Sequence, residues 1–109
     1  MARILILEDD PDQLELRKLL LANAGHQVQT AVSAEQAAAA MADSDVLVLD
    51  LVPGSEHLLD RVPPDTHVIV LSGRQVVSDQ VTAKSSYVLK KPCSSRTLID
   101  TIGRACKSA

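Results

Sequence analysis

The run Arg3-Ile4-Leu5-Ile6-Leu7, followed by Glu8-Asp9-Asp10-Pro11, sets the architecture. An apolar run this short, with no polar alternation, fits a strand covered on both faces, as in a parallel sheet. Asp10-Pro11 then opens a helix, with Asp as N-cap, Pro at the first helical position and Asp12 near the positive end of the dipole. Three further apolar runs also end on a polar residue. Val46-Leu47-Val48-Leu49 ends on Asp50, Val68-Ile69-Val70-Leu71 on Ser72, and Val88-Leu89 passes through Lys90 to Lys91-Pro92. In an open parallel sheet, ligands bind beyond the carboxyl ends of the strands. Carboxylates, a hydroxyl and an ammonium would then meet on one rim, a set able to hold a hard divalent cation and a phosphoryl group.

Between the strands the pattern is helical. The first helix runs to about Ala24, with Leu16, Leu20, Leu21 and Ala24 on one face and Gly25 as its stop. Leu14 and Leu19 fall off that stripe. Val28 to Ala31 forms a short second strand, and Ser33 with Gln36 makes a capping box for an alanine-rich helix through Ala42. After Asp50, Pro53-Gly54 marks a turn, and Ser55 to Val62 holds at most two helical turns before Pro63-Pro64. Arg74 to Ser85, with β-branched Val76, Val77 and Val81, predicts a weak, short helix. Ser94 or Ser95 caps a last helix through about Cys106. The expected class is α/β, a (βα)5 chain with right-handed crossovers and short third and fourth helices.

Composition narrows the function. With 109 residues, the chain is expected to form one domain over 1–109, enough for a single core. Tyr87 is the lone aromatic residue, so no platform exists for stacking bases, and a net charge of −3 with scattered basic residues leaves no nucleic-acid footprint. Apolar stretches of four or five residues fall far short of a membrane span, and the N-terminus lacks a signal-peptide apolar region. Cys93 and Cys106 show no metal-ligand spacing, which points to small hydrophobes in a reducing, cytoplasmic setting. His26, His57 and His67 are isolated and fit surface or loop positions.

The ordered set of an acidic pair after the first strand, Asp after the third, Ser after the fourth and Lys-Pro after the fifth resembles the receiver domains of two-component response regulators. The segments "RILILEDDP", "SDVLVLDLVPG", "VIVLSG" and "KKPCSSRTLIDTI" carry that resemblance across the whole chain. It implies a flavodoxin-like three-layer sandwich of the chemotaxis-regulator type, with sheet order 2-1-3-4-5. It implies Asp50 as phosphoacceptor, a carboxylate nucleophile served by a histidine kinase or histidine phosphotransfer protein. Glu8 and Asp9 match the acidic pair, and with Asp50 and the Val52 carbonyl they would hold Mg²⁺. Ser72 matches the switch hydroxyl, Gly73 beside it leaves room for the phosphoryl donor, and Lys91 matches the lysine that pairs with Asp50 or its phosphoryl group. Asp10 is explained by capping alone, and Lys90 as a solvated neighbour. A unit-charge carboxylate pair 4 Å apart costs about 4 kcal/mol at an effective dielectric near 20, so such a cluster calls for a cation.

Departures from the family pattern matter too. Pro53 stands three residues after Asp50 where receivers usually place it four after, and the stretches from Asp50 to Ser72 and from Ser72 to Lys91 are compressed. The usual aromatic position, three before the lysine, holds Val88; Tyr87 precedes it, on the opposite side of a regular strand unless a bulge intervenes. In this family the first helix and the loop after the fifth strand meet the histidine-bearing partner, so Leu14 is expected to dock there with Pro92 and Cys93. With only Lys107-Ser108-Ala109 beyond the last helix, the leading expectation is a stand-alone phosphoacceptor receiver with an unknown downstream protein partner, and not an enzyme beyond self-phosphotransfer onto Asp50. The alternative is a degenerate receiver that signals by protein interaction without phosphate. A haloacid-dehalogenase-type phosphatase fails, because its second acid would fall on Val52 and no cap domain fits.

Overall fold

The computed structural model describes residues 2–50, 55–73, 85, 87–90 and 94–107. Along the chain run β1 (Arg3–Leu7), α1 (Pro11–Asn23), β2 (Gln27–Ala31), α2 (Ala34–Ala40), β3 (Val46–Asp50), β4 (His67–Ser72), β5 (Tyr87–Lys90) and α3 (Ser95–Lys107). Two 3₁₀ segments, Met41–Asp43 and Ser55–Arg61, follow α2 and β3. The strands form one parallel sheet in the order β2-β1-β3-β4-β5, as the resemblance implied. Among its described residues, the third crossover carries the Ser55–Arg61 3₁₀ turns and no α-helix, so that helix is stunted as expected. The short helix expected over 74–85 lies outside the described residues, apart from Ser85.

Local chemistry explains the element ends. Asp10 caps α1 by accepting from the Asp12 N–H at 3.0 Å, and Pro11 fills the first turn. Gly25 ends it at φ 96°, a left-handed conformation that suits glycine. The Ser33 hydroxyl accepts from Gln36 N–H at 3.3 Å, while the Gln36 side chain reaches back to Val32 N–H at 3.0 Å. Of the two serines open at the head of α3, Ser94 is the cap, accepting from Thr97 N–H at 3.1 Å.

Strand alternation sorts the core into two layers. Leu5, Leu7, Leu47, Leu49, Val68 and Val70 meet Ala37, Met41, Leu58 and Leu59 on one face of the sheet. Ile4, Ile6, Val46, Val48, Ile69 and Leu71 meet Leu14 and Leu21 of α1 and Leu98 and Ile102 of α3 on the other. β5 keeps one-to-one register with β4 from Ile69↔Tyr87 to Ser72↔Lys90, so no bulge interrupts it. Tyr87 accordingly packs on the α1/α3 face and Val88 on the α2 face. His26, in the turn before β2, is half-buried, and its Nδ1 accepts from Ala2 N–H at 3.2 Å. Burial, and secondarily the charge of the amino terminus, pushes its pKa down.

The buried stripe of α1 differs from the one expected. Leu14 and Leu21 are in the core, at 9% and 0% exposure, whereas Leu16 and Leu19 face solvent at 51% and 53%. Leucines at 14, 16, 19, 20 and 21 surround most of the helix, so apolar periodicity selects no face. Residues seven apart project within about 20° of each other, and packing on β1 and β3 chooses Leu14 and Leu21. Leu14 is therefore a core residue and not the docking contact expected of it. Leu21→Ala should cost about 2–5 kcal/mol, Leu14→Ala the lower end of that range, and Leu16→Ala within about 0.5 kcal/mol, measured by urea unfolding.

Candidate functional site

The rim is built by register. β1 and β3 run side by side with Leu7 opposite Leu49, so the next residues, Glu8 and Asp50, leave adjacent strands together. Alternation turns both toward the face that α1 covers, the side of Ile6 and Val48. Both are buried, with side chains 4% and 9% exposed. Ser72 closes β4 one residue beyond Leu71, the partner of Asp50, and is also buried.

Between the two carboxylates stands Arg17. Its Nη1 donates to Glu8 Oε2 and lies 3.5 Å from Asp50 Oδ2, and its side chain is 14% exposed. Glu8 Oε1 accepts from the Asp10 N–H at 3.1 Å, so the cap that starts α1 also fixes this carboxylate. A planar guanidinium with several N–H donors can serve two carboxylates at once, which an ammonium does less well. Burial is the main cause raising the Glu8 pKa, with a hydrogen bond to Asp50 and the Asp50 charge adding to it. The Asp10 N–H and Arg17 oppose that rise without cancelling it.

The site residues expected from the sequence divide as follows. Glu8 and Asp50 are brought together, and Ser72 ends the neighbouring strand. Asp9 is exposed. Lys91 and Val52 lie outside the described residues, as do Pro53, Pro92 and Cys93; Lys90 is exposed, in register with Ser72. Among the described residues, no group of three or more His, Cys, Asp or Glu is placed to hold a metal ion. The oxygen chemistry of Glu8, Asp9 and Asp50 suits Mg²⁺. Their arrangement does not, because a guanidinium already bridges two of them and Asp9 stays outside the group.

Sequence reasoning missed Arg17. Arg17 sits three residues after Leu14 and four before Leu21, but with leucines around most of α1 the sequence does not show that this is the inward stripe. Such a position is occupied by a charge only if it finds a buried partner.

Raising the Glu8 pKa in the folded state favours folding while Glu8 is protonated. That contribution is complete below the unfolded value, about 4.5, and is lost as pH rises through the higher folded value. Glu8→Gln should therefore remove a fall in stability as pH climbs above about 4.5, read from urea midpoints of both proteins across pH 4 to 7.

No protein-family model and no curated protein matches the chain by sequence. Solved structures do match. NtrX from Brucella abortus, in complex with ADP, superposes at TM-score 0.87 with 27% identity over 98% of this chain. The chain spans only 26% of that protein's length. A response regulator receiver domain protein from Clostridium thermocellum matches at TM-score 0.85 and 25% identity, covering 99% of this chain and 96% of that one. Response regulator TrrA from Thermotoga maritima, in complex with Mg²⁺-BeF, matches at TM-score 0.86 and 24% identity, covering 96% and 99%, a likeness of fold. With its parallel sheet in the order β2-β1-β3-β4-β5 and these structural neighbours, the chain has the fold of the CheY-like receiver domains of response regulators.

Proposed function

We propose that the chain is a phosphoacceptor receiver in two-component phosphorelay signalling, with Asp50 accepting a phosphoryl group from a histidine kinase or histidine phosphotransfer protein. The observation that carries this is Asp50 itself, a buried carboxylate at a strand end with a guanidinium 3.5 Å away and Ser72 at the end of the next strand. A carboxylate oxygen of Asp50 attacks phosphorus, the new P–O bond forms as the P–N bond breaks, and the imidazole leaves with a proton. Such a transfer depends on in-line positioning and charge neutralisation. It is a self-modification and not turnover, so the chain is proposed not to be an enzyme. It acts by binding a downstream protein, in the cytoplasm. No helix among the described residues is long and apolar enough to cross a membrane.

The resemblance calls for Mg²⁺ and TrrA was crystallised with Mg²⁺-BeF, but Arg17 holds the carboxylates that the ion would need here. One specific feature favours a second reading, a receiver that signals without phosphate: Arg17 already bridges the pair and offsets one of its two negative charges. Intact mass after acetyl phosphate, with and without Mg²⁺ and beside Asp50→Asn, separates the two. A phosphoryl adduct lost in the variant is expected; no adduct in either protein selects the second reading.

Docking of the histidine-bearing partner moves from Leu14 to the solvent-facing leucines of α1, Leu16 and Leu19. Leu16→Glu should slow phosphotransfer from a phosphohistidine protein at least about fivefold, close to 1 kcal/mol, and leave acetyl phosphate labelling intact. Equal loss of both would sink the docking role.

A further inference from the structure

We infer that Arg17 is the resident counter-cation of the Glu8–Asp50 pair and competes with any divalent cation for it. The inference takes this rim to be the phosphoacceptor site proposed above. Its basis is where the donors point. Both oxygens of Glu8 are engaged, Oε1 by the Asp10 N–H and Oε2 by Arg17, and Arg17 also faces Asp50 Oδ2. A divalent ion bound by these carboxylates would sit beside oxygens that already serve Arg17 and the Asp10 N–H, and it would bring two positive charges next to a third in a largely buried pocket, where like charges repel strongly. Ion and guanidinium therefore exclude each other.

The packing of α1 brings Arg17 to the rim. Its Cα lies on the stripe that Leu14 and Leu21 anchor against the sheet, so the stem starts under the helix and the guanidinium ends at the rim. A way out exists: Arg17 lines a cleft between α1 and α3 with Gln13, Leu20, Leu71 and Leu98, where a displaced side chain can go. Divalent cations thus bind only as Arg17 leaves, and their apparent affinity falls by the fraction of molecules in which it is out. Arg17 is a specificity-determining residue of the rim: it makes the carboxylate pair tolerable without a metal and makes metal binding weak.

The test is Mg²⁺ titration of the wild-type protein, Arg17→Leu and Arg17→Lys, followed by calorimetry and amide shifts. Arg17→Leu should bind Mg²⁺ at least about tenfold more tightly than wild type, a difference of about 1.4 kcal/mol. Mg²⁺ should also raise the melting temperature of Arg17→Leu more than that of wild type. Arg17→Lys, which keeps a positive charge, should stay nearer wild type. In the wild-type protein, saturating Mg²⁺ should shift the Arg17 Nε–H resonance as the side chain leaves. Should Arg17→Leu fold only with Mg²⁺ present, that supports competition, and Arg17→Lys with the wild-type resonance supplies the affinities. Equal Mg²⁺ affinity in wild type and Arg17→Leu, or an Arg17 resonance unmoved at saturation, overturns the inference. Acetyl phosphate labelling of the same proteins separates it from the functional reading. Labelling of Asp50 with unchanged Mg²⁺ affinity defeats the inference alone; tighter Mg²⁺ binding with no labelling supports the inference and defeats the phosphoacceptor reading.

Discussion

Two carboxylates leaving neighbouring strands on the same side, and sealed from water, must share a proton, find a cation or push the strands apart. Glu8 and Asp50 meet that constraint through Arg17, with the raised Glu8 pKa showing how far from free the pair remains. Parallel strands lie about 4.8 Å apart, so register alone fixes the carboxylates within reach of one another. The register of Leu7 with Leu49 and the burial of β1 and β3 hold the two side chains on the same edge. A slip by one residue would turn the apolar sets of both strands over, which the two packed layers forbid.

The cation that relieves the strain is therefore tied to the same core that creates it. α1 is started by Asp10, whose backbone N–H also holds Glu8, and stopped by Gly25. Leu14 and Leu21 then press it onto Ile4, Ile6, Val46 and Val48. That packing puts Arg17, between them, within reach of the rim. Taking one partner from a buried ion pair typically costs more than the pair contributes over apolar substitutes, because the survivor is left charged and dry. The arrangement thus makes the position of α1 and the charge state of the rim depend on each other.

Most of the fold was legible in the sequence because its signals are local and redundant. Apolar runs of four or five residues, a Pro after an N-cap Asp, a Gly at a helix end and a capping serine each point the same way. The strand order came from resemblance and not from patterning, since nothing in a buried strand's composition says which neighbour it takes. The α1 stripe was not legible for a physical reason: five leucines around one helix leave the sheet to choose, and it chose Leu14 over Leu16. Within the site, the placing of Glu8, Asp50 and Ser72 at the ends of neighbouring strands was legible because a parallel sheet always delivers its carboxyl ends to one edge. Arg17 was not, because a helix contributes to that edge only by the reach of one long side chain, and its face could not be assigned until the stripe was known.

The identity of the cation bears on how a receiver of this shape can work. A divalent ion is exchangeable and leaves no record in the helices; a guanidinium is covalently part of α1. A phosphoryl group on Asp50 would bring roughly two negative charges and new acceptor oxygens to a point beside Arg17. Arginine pairs with phosphate through the same planar fork that it offers carboxylates, so such a charge would redistribute its hydrogen bonds among Glu8, Asp50 and the new oxygens. Any redistribution pulls on α1, the element whose outer surface carries Leu16 and Leu19. Tyr87, by contrast, is committed to the α1/α3 layer by an unbroken register with β4. Among the described residues, Arg17 ties the Asp50 carboxylate to α1 and so to its exposed Leu16 and Leu19, whereas the lone aromatic stays in the inner layer.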